Sequence, residues 1–258
     1  MRYLKTYRIF EASQSAGLTP KQREFLNVGI DTNGTWNYDR STGLVNVDGT
    51  FNAVYTGGGH QNDLMGIRFG TVTGYFRCSE IDLETLDGSP RFVGKEFNCR
   101  GNLLKTLEGG PEEVGDNFDC VGNKLTSLVG APRRVGGAFI CTDNPLTSLA
   151  GAPEEIGWEF HCRTQTGEVL TFHKGQWNLD GWLKKLKEVT QSKQELILTL
   201  LSPEFLNREI EKDPARMIMK LKPFLNDELF KEIQPKLIWP KDLQDDVDLA
   251  GDLDNIGF

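Results

Sequence analysis

The sequence predicts a repeat solenoid: a parallel β-sheet of five main coils, a helix-and-hairpin cap before it and a helical subdomain after it. Three observations carry this reading. The five cysteines, Cys78, Cys99, Cys120, Cys141 and Cys162, are separated by one constant step of 21 residues. Phe76, Phe97, Phe118, Phe139 and Phe160 keep the same step two positions ahead of each cysteine, and Val72, Val93, Val114, Val135 and Ile156 keep it four positions ahead of each phenylalanine. Leucines follow at the eighth position after cysteine (Leu86, Leu107, Leu128, Leu149, Leu170), with Gly88, Gly109, Gly130 and Gly151 and with Pro90, Pro111, Pro132 and Pro153 behind them. A fixed period in this range is the signature of stacked supersecondary units.

The coil can be derived from one unit. In Phe-x-Cys the two named side chains lie two apart, so both point to one side of a short strand. Stacking places all phenylalanines in one internal column and all cysteines in another. Leucines at the fifth and eighth positions after cysteine fold back to close the coil. Asn102, Asn123 and Asn144 stand three residues after cysteine, where a buried amide can satisfy backbone groups freed as the strand turns away. Gly-x-Pro then breaks regular structure on the return arc.

Both ends of a solenoid expose an apolar cross-section and need caps. Thr19-Pro20 before "KQREFL" reads as a helix start. Alternation over 35–51 around Ser41-Thr42-Gly43 reads as a hairpin, and "VDGTF" (47–51) echoes "VTGYF" (72–76), so the hairpin shades into an irregular first coil. The insert between them contains "TGGGHQ", read as a loop; without a following Lys-Ser/Thr it is not a phosphate cradle. After Cys162 the repeat dissolves and helix signals take over, with Trp182, Leu183, Leu186 and Val189 on one face. The organisation expected is an N-terminal segment over 1–42, a solenoid over 43–170, a helical subdomain over 171–240 and an acidic tail over 241–258. The subdomain serves either as a C-terminal cap or as a separate partner-binding domain.

Composition narrows the function. The chain has 258 residues and a formal net charge of −8, of which −5 lies in the last 18 residues. The remainder is near neutral, and a near-neutral body lacks the basic face that a nucleic-acid binder needs. No membrane partner is expected, because no apolar run is long enough to span a bilayer. The N-terminus lacks the apolar core of a secretion signal, so the expectation is an intracellular (host cytoplasm) or virion location. An odd number of equivalent inward cysteines fits free thiols rather than a disulfide framework. No Cys/His pairs are clustered as zinc requires, and His161 next to Cys162 would point to the opposite face. No Ser/His/Asp set or nucleotide loop stands out, so neither an enzyme nor a cofactor is expected. His60, His161 and His173 fall on a loop, a strand face and the segment leaving the array. The pairs Glu112-Glu113 and Glu154-Glu155 occupy one repeat position and read as surface residues.

"FDCVGNKLTSL" (118–128) fits the leucine-rich-repeat core, with Phe and Cys in two leucine places. More narrowly, "LTSLVGAPRRVGGAFIC" and "LTSLAGAPEEIGWEFHC" resemble a short leucine-rich-repeat-like family of tailed-phage and marine metagenomic proteins. That resemblance covers about 43–170 and implies a fold and a viral origin, not a reaction.

In such a solenoid the residues flanking the inward pair form the outer sheet face. The candidate protein-binding residues are Tyr75 and Arg77; Glu96, Asn98 and Arg100; Asn117 and Asp119; Ile140 and Thr142; and Glu159, His161 and Arg163. Tyr3, Leu4, Tyr7 and Phe10 lie at helical spacing and suit a short docking helix or packing on the cap. The tail interleaves Asp with Val, Leu and Ile and ends on Phe258; it is similar to the acidic, Phe-terminated tip of bacterial single-stranded-DNA-binding proteins, which makes Ile256 and Phe258 a candidate docking element. The function expected is non-enzymatic binding of another protein, host or viral, with a structural or assembly component of a phage particle as the alternative. The sequence leaves the oligomeric state open.

Overall fold

The computed structural model describes residues 17–53, 63–163, 167, 169–175, 177 and 181. The chain divides into two compact units, Met1–Leu146 with Ala152–Lys174, and Thr147–Gly151 with Gly175–Phe258. The expected C-terminal helices and acidic tail, the N-terminal docking segment and the glycine-rich insert over 54–62 lie outside the described residues, apart from single positions.

The first unit is a parallel-sheet β-solenoid of about five turns with little helix. Helix α1 (Pro20–Gly29) starts where Thr19 caps it: the Thr19 hydroxyl accepts from the Gln22 N–H, and the Gln22 side chain returns the bond to the Thr19 N–H. Its buried face carries Phe25 and Leu26. The strands follow as β1 (Thr35–Asp39), β2 (Leu44–Asp48), β3 (Phe51–Asn52), β4 (Phe69–Val72), β5 (Phe76–Arg77), β6 (Phe92–Val93), β7 (Phe97–Asn98), β8 (Glu113–Val114), β9 (Phe118–Asp119), β10 (Arg134–Val135), β11 (Phe139–Ile140), β12 (Glu155–Ile156), β13 (Phe160–Arg163) and β14 (Val169–Phe172).

Each coil contributes a strand to two sheets, where the sequence pattern suggests only one. The phenylalanine sheet runs β3-β5-β7-β9-β11-β13-β14, and a valine sheet runs β1-β2-β4-β6-β8-β10-β12. Phe51, Phe76, Phe97, Phe118, Phe139 and Phe160 stand in register through consecutive parallel pairs. Val72, Val93, Val114, Val135 and Ile156 do the same in the other sheet. The echo of "VTGYF" in "VDGTF" is real: Val47 pairs with Val72 and Phe51 with Phe76.

The chain bends between the two sheets at Gly94, Gly115, Gly136 and Gly157. A Cβ at Gly115 would lie 2.3 Å from the Gly94 carbonyl oxygen, and one at Gly136 would lie 2.2 Å from that of Gly115. Coils meet here backbone to backbone, so the column is glycine for want of room. The Gly-x-Pro glycines have a conformational reason as well: Gly88, Gly109, Gly130 and Gly151 adopt φ between 82° and 91°, the left-handed turn onto the return arc, and a Cβ at Gly88 or Gly130 would also lie 2.2 or 2.1 Å from a backbone atom.

The core follows the columns. The rings of Phe76, Phe97, Phe118, Phe139 and Phe160 are nearly parallel, with centroids 5.1–5.7 Å apart. Phe25 meets the N-terminal end of the stack edge-on at Phe51, and Phe172 tilts over Phe160 at the other end. All five cysteines are buried free thiols. Burial raises their pKa values, that of Cys162 to about 12.

The asparagine column behaves as its position suggests. Asn123 Nδ2 donates to the carbonyls of Cys99 and Cys120, both at 3.0 Å, and Oδ1 accepts from the Leu104 N–H at 3.1 Å. Asn102 and Asn144 repeat the pattern one coil away on either side. Each amide therefore clips one coil to the previous one.

One column ends earlier than its spacing suggests. Leu170 is not on a fifth return arc. It lies on β14, which pairs antiparallel with β13 and places Leu170 opposite Cys162. The chain after Arg163 turns back as a hairpin and covers the C-terminal edge of the phenylalanine sheet, while β1 covers the N-terminal edge of the valine sheet. The 21-residue step to Leu170 coincides with burial but not with a coil.

Candidate functional site

The outer face of the phenylalanine sheet is built from three rows. The central row holds the residue after each phenylalanine: Arg77, Asn98, Asp119, Ile140 and His161, aligned strand to strand and each half-buried. Tyr75, Glu96, Asn117, Ala138 and Glu159 form the row before it, and Ser79, Arg100, Val121, Thr142 and Arg163 the row after. The ladder runs past the two-residue strands: Phe97 and Cys99 donate to the carbonyls of Asn117 and Asp119, and Gly101 donates to that of Val121. All twelve face residues read from the sequence are thus brought onto one surface. Ile256 and Phe258 lie outside the described residues.

Several of these side chains are held in place. The Arg77 guanidinium lies 4.5 Å from the centroid of the Tyr75 ring, a cation–π arrangement, and its Nη1 approaches Asn52 Oδ1 at 3.4 Å. Asn98 Nδ2 donates to Glu96 Oε1 at 2.9 Å. Asn117 Oδ1 accepts from the Ala138 N–H at 2.8 Å, so this side chain is a coil-to-coil tie as well as a face residue. Asp119 Oδ1 accepts from the Val121 N–H at 3.0 Å, yet burial still raises its pKa above the ordinary aspartate value. Ala138, Ile140 and Val121 make an apolar centre, with Arg100 on one side and the acid–imidazole cluster on the other.

That cluster is the feature sequence spacing missed. The antiparallel pairing of β14 with β13 sets Thr171 opposite His161 and carries His173 beside Glu159. His161 Nε2 lies 2.8 Å from Glu159 Oε2, His173 Nδ1 lies 2.6 Å from Glu159 Oε1, and His161 Nδ1 lies 3.2 Å from Thr171 Oγ1. Hydrogen bonds from His173 and then His161 hold the Glu159 carboxyl below its ordinary pKa. Both ring nitrogens of His161 are engaged, so that imidazole is held in position. The alternation in "VLTF" before His173 was the signal that a strand returns here.

The opposite face, on the valine sheet, carries an ionic ladder. The sequence pairs Glu112-Glu113 and Glu154-Glu155 flank Arg133-Arg134 coil by coil. Arg133 reaches Glu113 and Glu154, each at 3.8 Å, Arg134 Nε lies 3.5 Å from Glu155, and Arg91 Nε donates to Glu112 at 2.9 Å. These pairs are exposed and contribute about 0–1 kcal/mol each, so they specify which coil lies beside which more than they stabilise the stack.

No protein-family model, curated protein or solved structure matches the chain. Among the described residues no group of three His, Cys, Asp or Glu side chains is placed to hold a metal ion, and no helix is long and apolar enough to cross a membrane.

Proposed function

We propose that the chain is a non-enzymatic protein-interaction module, of phage origin, that binds a host or viral protein through the outer face of the phenylalanine sheet. The observation that carries this reading is the registered central row, Arg77, Asn98, Asp119, Ile140 and His161, standing directly above a column of parallel buried rings. A surface whose side chains are already ordered loses little conformational freedom on binding. Its make-up also fits: an apolar centre at Ile140 and Val121 is bordered by Arg100 and by the strand of His161 and Arg163, with the Tyr75–Arg77 pair further along the same face, and arginine and tyrosine are favoured at protein interfaces. The backbone of this face is already paired within the sheet, so recognition runs through side chains. The phage origin rests on the resemblance of the 21-residue motifs alone.

The test compares three immobilised forms for capture from infected-cell lysate: the native chain, Ile140→Asp/Arg100→Glu on the proposed face, and Phe92→Asp on the valine sheet, where Phe92 is exposed. Circular dichroism first establishes that all three are folded. A partner held by the native chain and by Phe92→Asp but lost by the double variant is the expected result. Equal capture by all three dismisses the face.

A further inference from the structure

The valine sheet has one edge that nothing among the described residues of the first unit pairs. Along this sheet each coil donates backbone N–H groups to the carbonyls of the coil before it: Glu154 donates to Arg133, Gly157 to Val135 and Trp158 to Gly137. The equivalent carbonyls of the last coil belong to Glu154, Ile156 and Trp158, and among the described residues none of the three accepts a bond. Other features agree that the stack stops short here. Ile156 is half-buried, whereas Val72, Val93, Val114 and Val135 are buried in the same column. Trp158 is 65% exposed. By contrast, the last strand of the phenylalanine sheet is covered by β14.

We infer that the free edge of β12 is a strand-addition site for an extended segment carrying two adjacent basic residues, then a β-branched apolar residue, then glycine. Each part of that pattern comes from an observed contact. The coils alternate in charge, with Glu112-Glu113, then Arg133-Arg134, then Glu154-Glu155, so the side chains next to Glu154 and Glu155 should be positive. An apolar residue in the following position extends the valine column and covers Ile156. Glycine follows because Gly157 sits so close to the Gly136 carbonyl that a Cβ there would lie 1.9 Å from its oxygen, and the next strand in register meets the Gly157 carbonyl the same way. The incoming strand donates its N–H groups to Glu154, Ile156 and Trp158, the main-chain mode of β-augmentation. The site is independent of the phenylalanine-sheet face and does not rest on its proposed role.

The chain itself supplies the probe. Its own segment Ala131–Gly137, "APRRVGG", makes these contacts against Glu112-Glu113. A capped peptide of that sequence is titrated into the 15N-labelled full-length chain and followed by amide shifts. Saturable shifts centred on 154–158 and on the Trp158 indole are expected. Weakening of tenfold or more is expected for "APEEVGG", which opposes like charges, and for "APRRVAG", which adds the forbidden Cβ. The chain variant Glu154→Arg/Glu155→Arg should reverse the preference and select "APEEVGG". Shifts scattered away from this edge, equal affinity for all three peptides, or no binding by any of them would each overturn the inference.

Discussion

The asparagine column yields a graded prediction, because its three members leave different groups unpaired when removed. Asn102 accepts from the N–H groups of both Ile81 and Leu83, at 3.1 and 3.0 Å, and donates to the Cys78 carbonyl, which takes no other bond among the described residues. Asn102→Ala therefore strands three groups, the buried Leu83 N–H and Cys78 carbonyl and the part-buried Ile81 N–H. Asn144→Ala strands two, the Leu125 N–H and the Cys141 carbonyl, because the Cys120 carbonyl keeps Asn123. Asn123→Ala strands only the Leu104 N–H, because Cys99 keeps Asn102 and Cys120 keeps Asn144. At about 2 kcal/mol for each buried group left unsatisfied and about 1 kcal/mol for the part-buried Ile81 N–H, which water can reach, the costs are about 5, 4 and 2 kcal/mol. A domain of ordinary stability, about 5–15 kcal/mol, resolves that order. Urea unfolding followed by far-ultraviolet circular dichroism measures it. Three equal losses, or the greatest loss at Asn123, would refute the bookkeeping and with it the idea that each amide is shared between two coils.

Other consequences can be checked with the same material. Gly115→Ala places a Cβ 2.3 Å from a backbone oxygen and should cost about 2–3 kcal/mol as overpacking; Gly122→Ala, at φ 68° but with no atom nearer than 3.8 Å, should cost only the left-handed penalty of about 1–2 kcal/mol. Equal losses in urea melts would remove steric contact as the reason for the glycine column. The five buried thiols, their pKa values raised by burial, should resist an aromatic disulfide reagent in the native protein and all react in denaturant; rapid native labelling of all five contradicts the core. Burial raises the Asp119 pKa, so its ionisation costs stability as pH rises through that value, while below the ordinary aspartate range the cost vanishes. Asp119→Asn keeps the bond to Val121 and should match or exceed the native melting temperature at pH 7, the difference closing in acid. Glu159 has the opposite sign: its pKa is lowered, so its contribution is present above the ordinary glutamate value and is lost as pH falls through the lowered one. The Glu159 carboxyl carbon, followed by nuclear magnetic resonance, should titrate below the ordinary glutamate range.

Much of the coil was legible because its chemistry repeats. Phenylalanine and cysteine occupy one environment in all five turns, leucine in the first four and asparagine in the middle three, so a constant spacing names the column and side-chain size names the interior. The second sheet was harder to see. Its repeat strands β6, β8, β10 and β12 are two residues long, and only the second position, valine or isoleucine, is constantly apolar; the first, Phe92, Glu113, Arg134 and Glu155, shares no chemistry from coil to coil. The glycine column reads as a set of turns, since sequence does not separate a residue chosen for its backbone angle from one chosen for want of space. At the end of the array the period misleads: Leu170 falls on the expected step but on an antiparallel strand. That same reversal brings His173 to Glu159, a meeting between residues 14 apart that no repeat arithmetic contains. Strand alternation puts the twelve face residues on one side of the sheet, because alternation depends only on local geometry.

The alternating acid and base pairs on the valine sheet impose a parity on how such a chain can change length. Removing the coil that carries Glu112-Glu113 would bring Arg91 against Arg133 and leave like charges stacked; removing two adjacent coils would restore opposite neighbours. Duplication during evolution, or in the laboratory, should therefore be tolerated most readily in even steps.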